Sequence, residues 1–324
     1  MRRADMRRVI IDTDTAGDDT QAILLSCLSD RVTVEALTIV AGNVPFEREV
    51  ENAKYTLDIA DSLDVPVYEG ARQPLLKEFE HATDIHGEDG LGGDLFPETD
   101  VESAAGFGPD EIVDRCRAAP GEITLLCIGP LTNIALAYAR EPDLPELVDE
   151  VWVMGGNINC EGNVTPAAEF NLWVDPDAAR RVFDAFEVTL VDWGVCLRDA
   201  VFDSPEFETV STFDTELASF FESVTEQARA FNSEGSDDPG WTALPDSVTA
   251  ALLAYPELRE AVSTYHVAVD DREGLTRGYT SVDINGVTDG EPNTHVVESV
   301  DSDAFQSVMY SLLQSRDPDS GVAE

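Results

Sequence analysis

Basic residues are scarce in this chain. Twenty Lys and Arg stand against 65 Asp and Glu among 324 residues, a formal charge of -45. No stripe of positive charge is available to neutralise phosphates, which disfavours nucleic-acid binding. Charge on this scale with little apolar content would mean disorder. Here 43% of residues are hydrophobic and 8% aromatic, which fits a folded core beneath an acidic surface. Self-repulsion of such a surface is screened at molar salt, where the Debye length shrinks to about 3 Å, so a halophilic source is expected. Cysteine is also sparse. Cys27, Cys116, Cys127, Cys160 and Cys196 are odd in number and include no CxxC pair, which argues against a structural zinc site or a disulfide framework. They read as small core residues in a reducing compartment. No apolar run approaches the about 18 residues of a membrane span, and no apolar signal segment follows the basic start MRRADMRR. A cytoplasmic protein with no membrane or nucleic-acid partner is expected.

What is present is alternation. Short β-branched runs (RRVIID, VEALTIV, VPVYEG, EITLLCI, EVWVMGG, EVTLVDW) are separated by helical patterns such as DDTQAILLSCLSD, FEREVENAKYTLDIADSL, PDEIVDRCRAA, LTNIALAYARE and DPDAARRVFDAF. Strands alternating with helices predict an α/β fold, an open and mainly parallel sheet covered by helices on both faces. The stretch from about 201 to 240 is acidic and weakly patterned, and its NSEGSDDPG reads as a flexible loop. DSVTAALLAYP then predicts a helix, YHVAVDDREGLTRGYTSVDI an antiparallel hairpin, and DSDAFQSVMYSLLQS a closing helix. There is no internal repeat. One domain is expected over residues 1–315, with 316–324 a disordered acidic tail.

In an open parallel sheet, ligands bind beyond the carboxyl ends of the strands. The polar residues collect there. The first strand runs into Asp12, Asp14, Asp18 and Asp19, the second into Asn43, the fourth into Ile128 and Gly129, the fifth into Met154, Gly155, Gly156 and Asn157, and the sixth into Asp192 and Trp193. Four aspartates within eight residues repel one another. An EF-hand would place an oxygen ligand at Ala16 and a Glu at Ile23, so that motif fails. The D-x-D-x-T/V signature of haloacid-dehalogenase-type phosphatases fits Asp12 to Asp14 but meets Ala16 where Thr or Val belongs. Asp18 and Asp19 could instead simply cap the following helix, favoured by its dipole. A divalent cation accounts for the crowding best, because Ca²⁺ takes about six to eight oxygen ligands and can draw them from distant segments.

With DTDTAGDD at 12–19, VAGN at 40–43, DIHGEDGLGG at 84–93, IGPLTNIA at 128–135, VMGGN at 153–157 and EGNVTPAAEFNLWVDPDAA at 161–179, the chain resembles the nucleoside hydrolases of the inosine-uridine preferring type. The resemblance is strong over roughly residues 9–200. It resumes at Asp246 and at NTHVVESVDSDAF. It implies Ca²⁺-dependent cleavage of the N-glycosidic bond of ribonucleosides to ribose and free base, with Asp14 as general base toward a metal-activated water. It also implies Asp14, Asp19, Asp246 and the carbonyl of Ile128 as metal ligands. Asp18, Asn43, Asn163, Glu169, Asn171 and Asp246 correspond to the ribose-binding set, with Met154 on the floor, and His86 to a loop bordering the pocket. A homo-oligomer, dimer or tetramer, is implied as well.

Two departures stand out. Thr15 and Ala16 replace the usual Pro-Gly of the first signature. Pro245 stands where many members carry a histidine that protonates the leaving base, and proline has no such proton. His86 or a residue of the 220–242 stretch could take that role, or Trp241 or Trp173 could activate the base by stacking. The alternatives are a non-catalytic nucleoside- or ribose-binding protein and a metal-dependent phosphohydrolase.

Overall fold

The computed structural model describes residues 6–233 and 240–322. Its strands are β1 (Arg7–Thr13), β2 (Val32–Ile39), β3 (Val67–Glu69), β4 (Ile123–Cys127), β5 (Val151–Met154), β6 (Val188–Val191), β7 (Val201–Phe202), β8 (Thr242–Ala243), β9 (Arg259–Tyr265), β10 (Val267–Val269), β11 (Thr280–Val282) and β12 (Thr294–Val300). Eight form one sheet in the order β3-β2-β1-β4-β5-β6-β12-β9. Neighbours pair in parallel, except β9, which lies antiparallel to β12 at the edge. β10 and β11 form the expected antiparallel hairpin.

The apolar run of β1 is continuous because both sheet faces are covered. Val9 and Ile11 point into one core with the helices Gly17–Leu28, Phe46–Ile59 and Pro245–Ala254. Ile10 points into the other with Gly108–Ala118, Thr132–Arg140 and Pro176–Ala185. This is the period of two of a strand buried on both sides. The buried cysteines Cys116, Cys127 and Cys196 are free thiols in these cores. The described residues contain no helix long and apolar enough to cross a membrane.

The chain builds β1 to β3 toward one edge and then returns to place β4 on the other side of β1. The strand order therefore reverses between β1 and β4, and a crevice opens at that switch point beyond the strand ends.

Three expectations need correction. The stretch from about 201, which reads as weakly patterned, is helical over Ser204–Val210 and Glu216–Asn232. The longer helix buries Leu217, Phe220, Phe221 and Val224, and Phe221 packs against Phe202 and Phe207. Within NSEGSDDPG, residues 234–239 lie outside the described residues. The tail is also ordered as far as 322. Asp319 accepts hydrogen bonds from the Ser29 hydroxyl, the Asp30 amide and the Tyr255 hydroxyl, which docks Pro318–Gly321 on the body. Residues 323–324 are outside the described set. Finally, β9 and β12 are strands that the sequence pattern does not single out.

Candidate active site

Asp14 follows β1 directly and is fully buried. Its Oδ2 accepts the Asn43 amide at 3.0 Å, while Oδ1 is buried with no hydrogen-bond partner. Two glycines make room for this carboxylate. A Cβ on Gly42 would lie 2.0 Å from Asp14 Oδ2, and one on Gly129 2.7 Å from Oδ1. The glycines of VAGN and IGP therefore serve close approach to a side chain. Asp12 faces the supporting side, accepting Thr38 Oγ1 at 2.5 Å and Asn133 Nδ2 at 2.7 Å.

Asp19 accepts Thr13 Oγ1 at 2.6 Å, the Ala16 amide at 3.2 Å and Asn43 Nδ2 at 3.3 Å. Ala16 has φ -146° and ψ 167°, extended backbone that any residue adopts, so the change from Gly at this position carries no strain. The left-handed conformation falls on Gly17, at φ +36°.

Asp18 opens the same helix and ties it to another. It accepts the Asp246 amide at 2.7 Å, the Ser247 amide at 3.1 Å and the Ser247 hydroxyl. It thereby caps the free N–H groups at the start of Pro245–Ala254. Both helices are almost wholly buried and pack on each other, which brings Asp246 to the aspartate cluster. Among the described residues nothing hydrogen-bonds the Asp246 carboxylate.

The electrostatics follow from burial. Burial raises Asp246 well above the usual carboxylate range, and Asp19, Asp18 and Asp14 push it further. Burial, then Asp19 and Glu49, do the same to Asp14. Asp12 and Asp19 are each pushed up to about 7 and Asp18 to about 6, all chiefly by burial. No Lys or Arg side chain among the described residues pairs with these carboxylates. Among the described residues, no group of three or more His, Cys, Asp or Glu side chains is already gathered as a metal-ligand set.

Opposite lies the polar set from the long motif. Glu169 caps Phe170–Val174, accepting the Asn171 amide at 2.8 Å, the Gly156 amide at 2.8 Å and the Leu172 amide at 3.3 Å. Burial pushes its carboxyl up to about 7. Asn171 Nδ2 donates to the carbonyls of Ile128 (3.1 Å) and Met154 (3.3 Å), joining the ends of β4 and β5. Asn163 is exposed and accepts the Phe170 amide at 2.9 Å.

A cavity of about 850 Å³ opens over these strand ends. It brings together Asp18, Asn43, His86, Ile128, Met154, Asn163, Glu169, Asn171, Trp241 and Asp246. Asp14 and Asp19 lie beneath, buried and outside the lining. Its outer walls are aromatic and include Trp173, whose ring carries the Arg277 guanidinium at 4.2 Å. Burial pulls the His86 imidazole down to about 4. Pro245 lines the cavity too and offers no proton. Sequence reasoning missed His81 and Phe231 in the walls; Trp193, noted at the end of the sixth strand, lies there too.

The sequence profile of the family described as inosine-uridine preferring nucleoside hydrolase matches residues 9–307. The chain belongs to that family. As a nucleoside hydrolase it is a hydrolase acting on N-glycosyl compounds. It is 34% identical over 312 residues to a pyrimidine-specific ribonucleoside hydrolase, RihA, of Photobacterium profundum, covering 95% of this chain and 98% of the relative. Its structure is similar to that of a plant nucleoside hydrolase (TM-score 0.88, 30% identity, covering 95% of this chain and 99% of that one). It is also similar to a purine-preferring ribonucleoside hydrolase from Gardnerella vaginalis (TM-score 0.86, 27% identity, 96% and 99%).

Proposed function

We propose that this nucleoside hydrolase cleaves ribonucleosides to ribose and free base, with Asp14 as general base and a Ca²⁺ held by Asp14, Asp19, Asp246 and the Ile128 carbonyl. The observation that carries this reading is Asp14 Oδ1, a buried carboxylate oxygen without a partner at the switch point of the sheet. The donor chemistry fits a hard dication: carboxylates that raise one another's pKa, beside a strand-end carbonyl. Such an ion, when bound, acidifies and orients a water.

The chain's own residues supply the rest. Asp14 takes the proton of the attacking water. Asn43, Asn171, Glu169 and Asp18 provide acceptors and donors for ribose hydroxyls, and Met154 gives the sugar an apolar floor. Glycosidic cleavage passes through an oxocarbenium-like transition state, and the surrounding carboxylates favour that positive charge. Asn163 fixes the Glu169 segment through its bond to Phe170. His86 meets the base as a neutral imidazole, and Trp241 walls the base side. No Lys or Arg appears among the described lining residues, which disfavours a phosphorylated substrate. A dimer or tetramer in the cytoplasm completes the reading.

Release of ribose from inosine, uridine or adenosine at high salt tests it. Asp14→Ala and chelation are each expected to abolish release. Asp19→Ala and Asp246→Ala are each expected to lose calcium, measured by calorimetry; a full equivalent retained in either would refute the ligand assignment. Tight nucleoside binding without ribose release would instead mark a binding protein.

A further inference from the structure

The departing base needs a proton, because the C1′–N bond leaves its electron pair on the base. Pro245 cannot give one. The described cavity lining holds no Lys, Arg, Tyr or Cys. The Asp18 and Glu169 carboxylates are engaged by N–H and O–H donors on both oxygens. Glu80, Asp84 and Glu161 are exposed carboxylates at the rim and Asp246 is assigned to the metal; the nitrogen acids of the lining are two imidazoles, His86 and His81.

They differ in how they are held. His86 sits over the start of Gly17–Leu28, where a Cβ on Gly17 would lie 2.5 Å from its Nδ1. No described residue hydrogen-bonds its ring, and burial favours its neutral form. His81 is exposed at the cavity mouth and anchored twice. Its Nδ1 lies 2.7 Å from the Gly42 carbonyl, and the next residue, Ala82, donates its amide to the Asn43 carbonyl at 2.7 Å. A carbonyl only accepts, so Nδ1 carries a hydrogen in either charge state. That leaves Nε2, which engages no described residue, as the nitrogen able to gain and lose a proton. Phe79 packs edge-on against the ring at 5.0 Å. The imidazole is thus docked on the segment that places Asn43 beside Asp14.

We propose that His81 is the proton donor to the leaving base, in place of a group at position 245. This rests on the hydrolase reading above. As the C1′–N bond breaks, the Nε2 proton moves to a nitrogen or carbonyl oxygen of the base. Water adds to C1′ and gives its proton to Asp14. Solvent then restores the proton to His81 and removes the one on Asp14, so atoms and charge balance.

The test compares ribonucleosides with p-nitrophenyl riboside, whose leaving group needs no proton. His81→Ala and His81→Asn are assayed on both; the Asn amide can still donate to the Gly42 carbonyl but has no group to protonate. General acids contribute roughly 100-fold or more. Both variants are therefore expected to lose about that factor in kcat on inosine or uridine while keeping near wild-type kcat on the nitrophenyl substrate. Asp14→Asn should lose both. Equal loss on the two substrates, no loss on nucleosides, or rescue by Asn would each overturn the proposal. A wild-type protein inactive on both substrates would overturn the catalytic reading beneath it, and this one with it.

Discussion

Asp14 has glycine on both sides, and that fixes what the site tolerates. A methyl at Gly42 would meet Asp14 Oδ2 at 2.0 Å, well inside contact distance. Gly42→Ala must therefore displace the carboxylate or the VAGN loop. The expected outcome is a folded protein, seen by circular dichroism, with kcat on ribonucleosides lowered by roughly 100-fold. An unchanged kcat would remove Asp14 from its assigned role. The magnitude follows from misplacing a reacting group by about 1 Å. At this scale the sequence is informative where chemistry needs a particular residue. Asp19 and Asp246 lie on two buried helices that pack on each other, and Asp14, just after β1, is close enough to raise the pKa of Asp246. His81 cannot be read the same way. Its place depends on a hydrogen bond to a carbonyl 39 positions away, and nothing in FEHAT announces that.

Elements are legible in proportion to their patterning. The parallel strands are short apolar runs bounded by turn residues, and the sequence marks them plainly. β9 escapes notice because its burial alternates but its residue types do not: in REAVSTY the apolar Val262 is exposed while Arg259 and Ser263 are half-buried. The helix Glu216–Asn232 falls in the stretch read as weakly patterned, although Leu217, Phe220, Phe221 and Val224 make an apolar face at helical spacing. Phe221 tests that helix. It is fully buried against Phe202 and Phe207, and truncating a buried Phe costs about 3–5 kcal/mol. Phe221→Ala should lower the urea midpoint accordingly. A change under about 0.5 kcal/mol, the range of ordinary surface substitutions, would contradict the packing.

For the molecule as a whole, a charge of -45 dominates the electrostatics. Repulsion on this scale destabilises the compact state and is screened by salt. The melting temperature should climb as KCl rises from about 0.1 M, where the Debye length is about 10 Å, toward about 1 M, where it is about 3 Å. A flat profile in calorimetry would mean that the surface charges are already balanced by local ion pairs. Such pairs exist, for example Arg8 with Glu35 and Arg115 with Glu111, but 20 cations cannot match 65 anions.

The docked tail has a mechanical meaning. The helix Gly17–Leu28 has 12 residues, a rod about 18 Å long. At one end Asp18 bolts it to Pro245–Ala254. At the other, Ser29, its last cap, is gripped by Asp319 together with Tyr255. A rod seated in bearings at both ends cannot slide along its axis. Asp319, 290 positions along the chain from Ser29 and with no part in the chemistry, thereby braces the far end of the helix whose first turn carries Asp18 and Asp19.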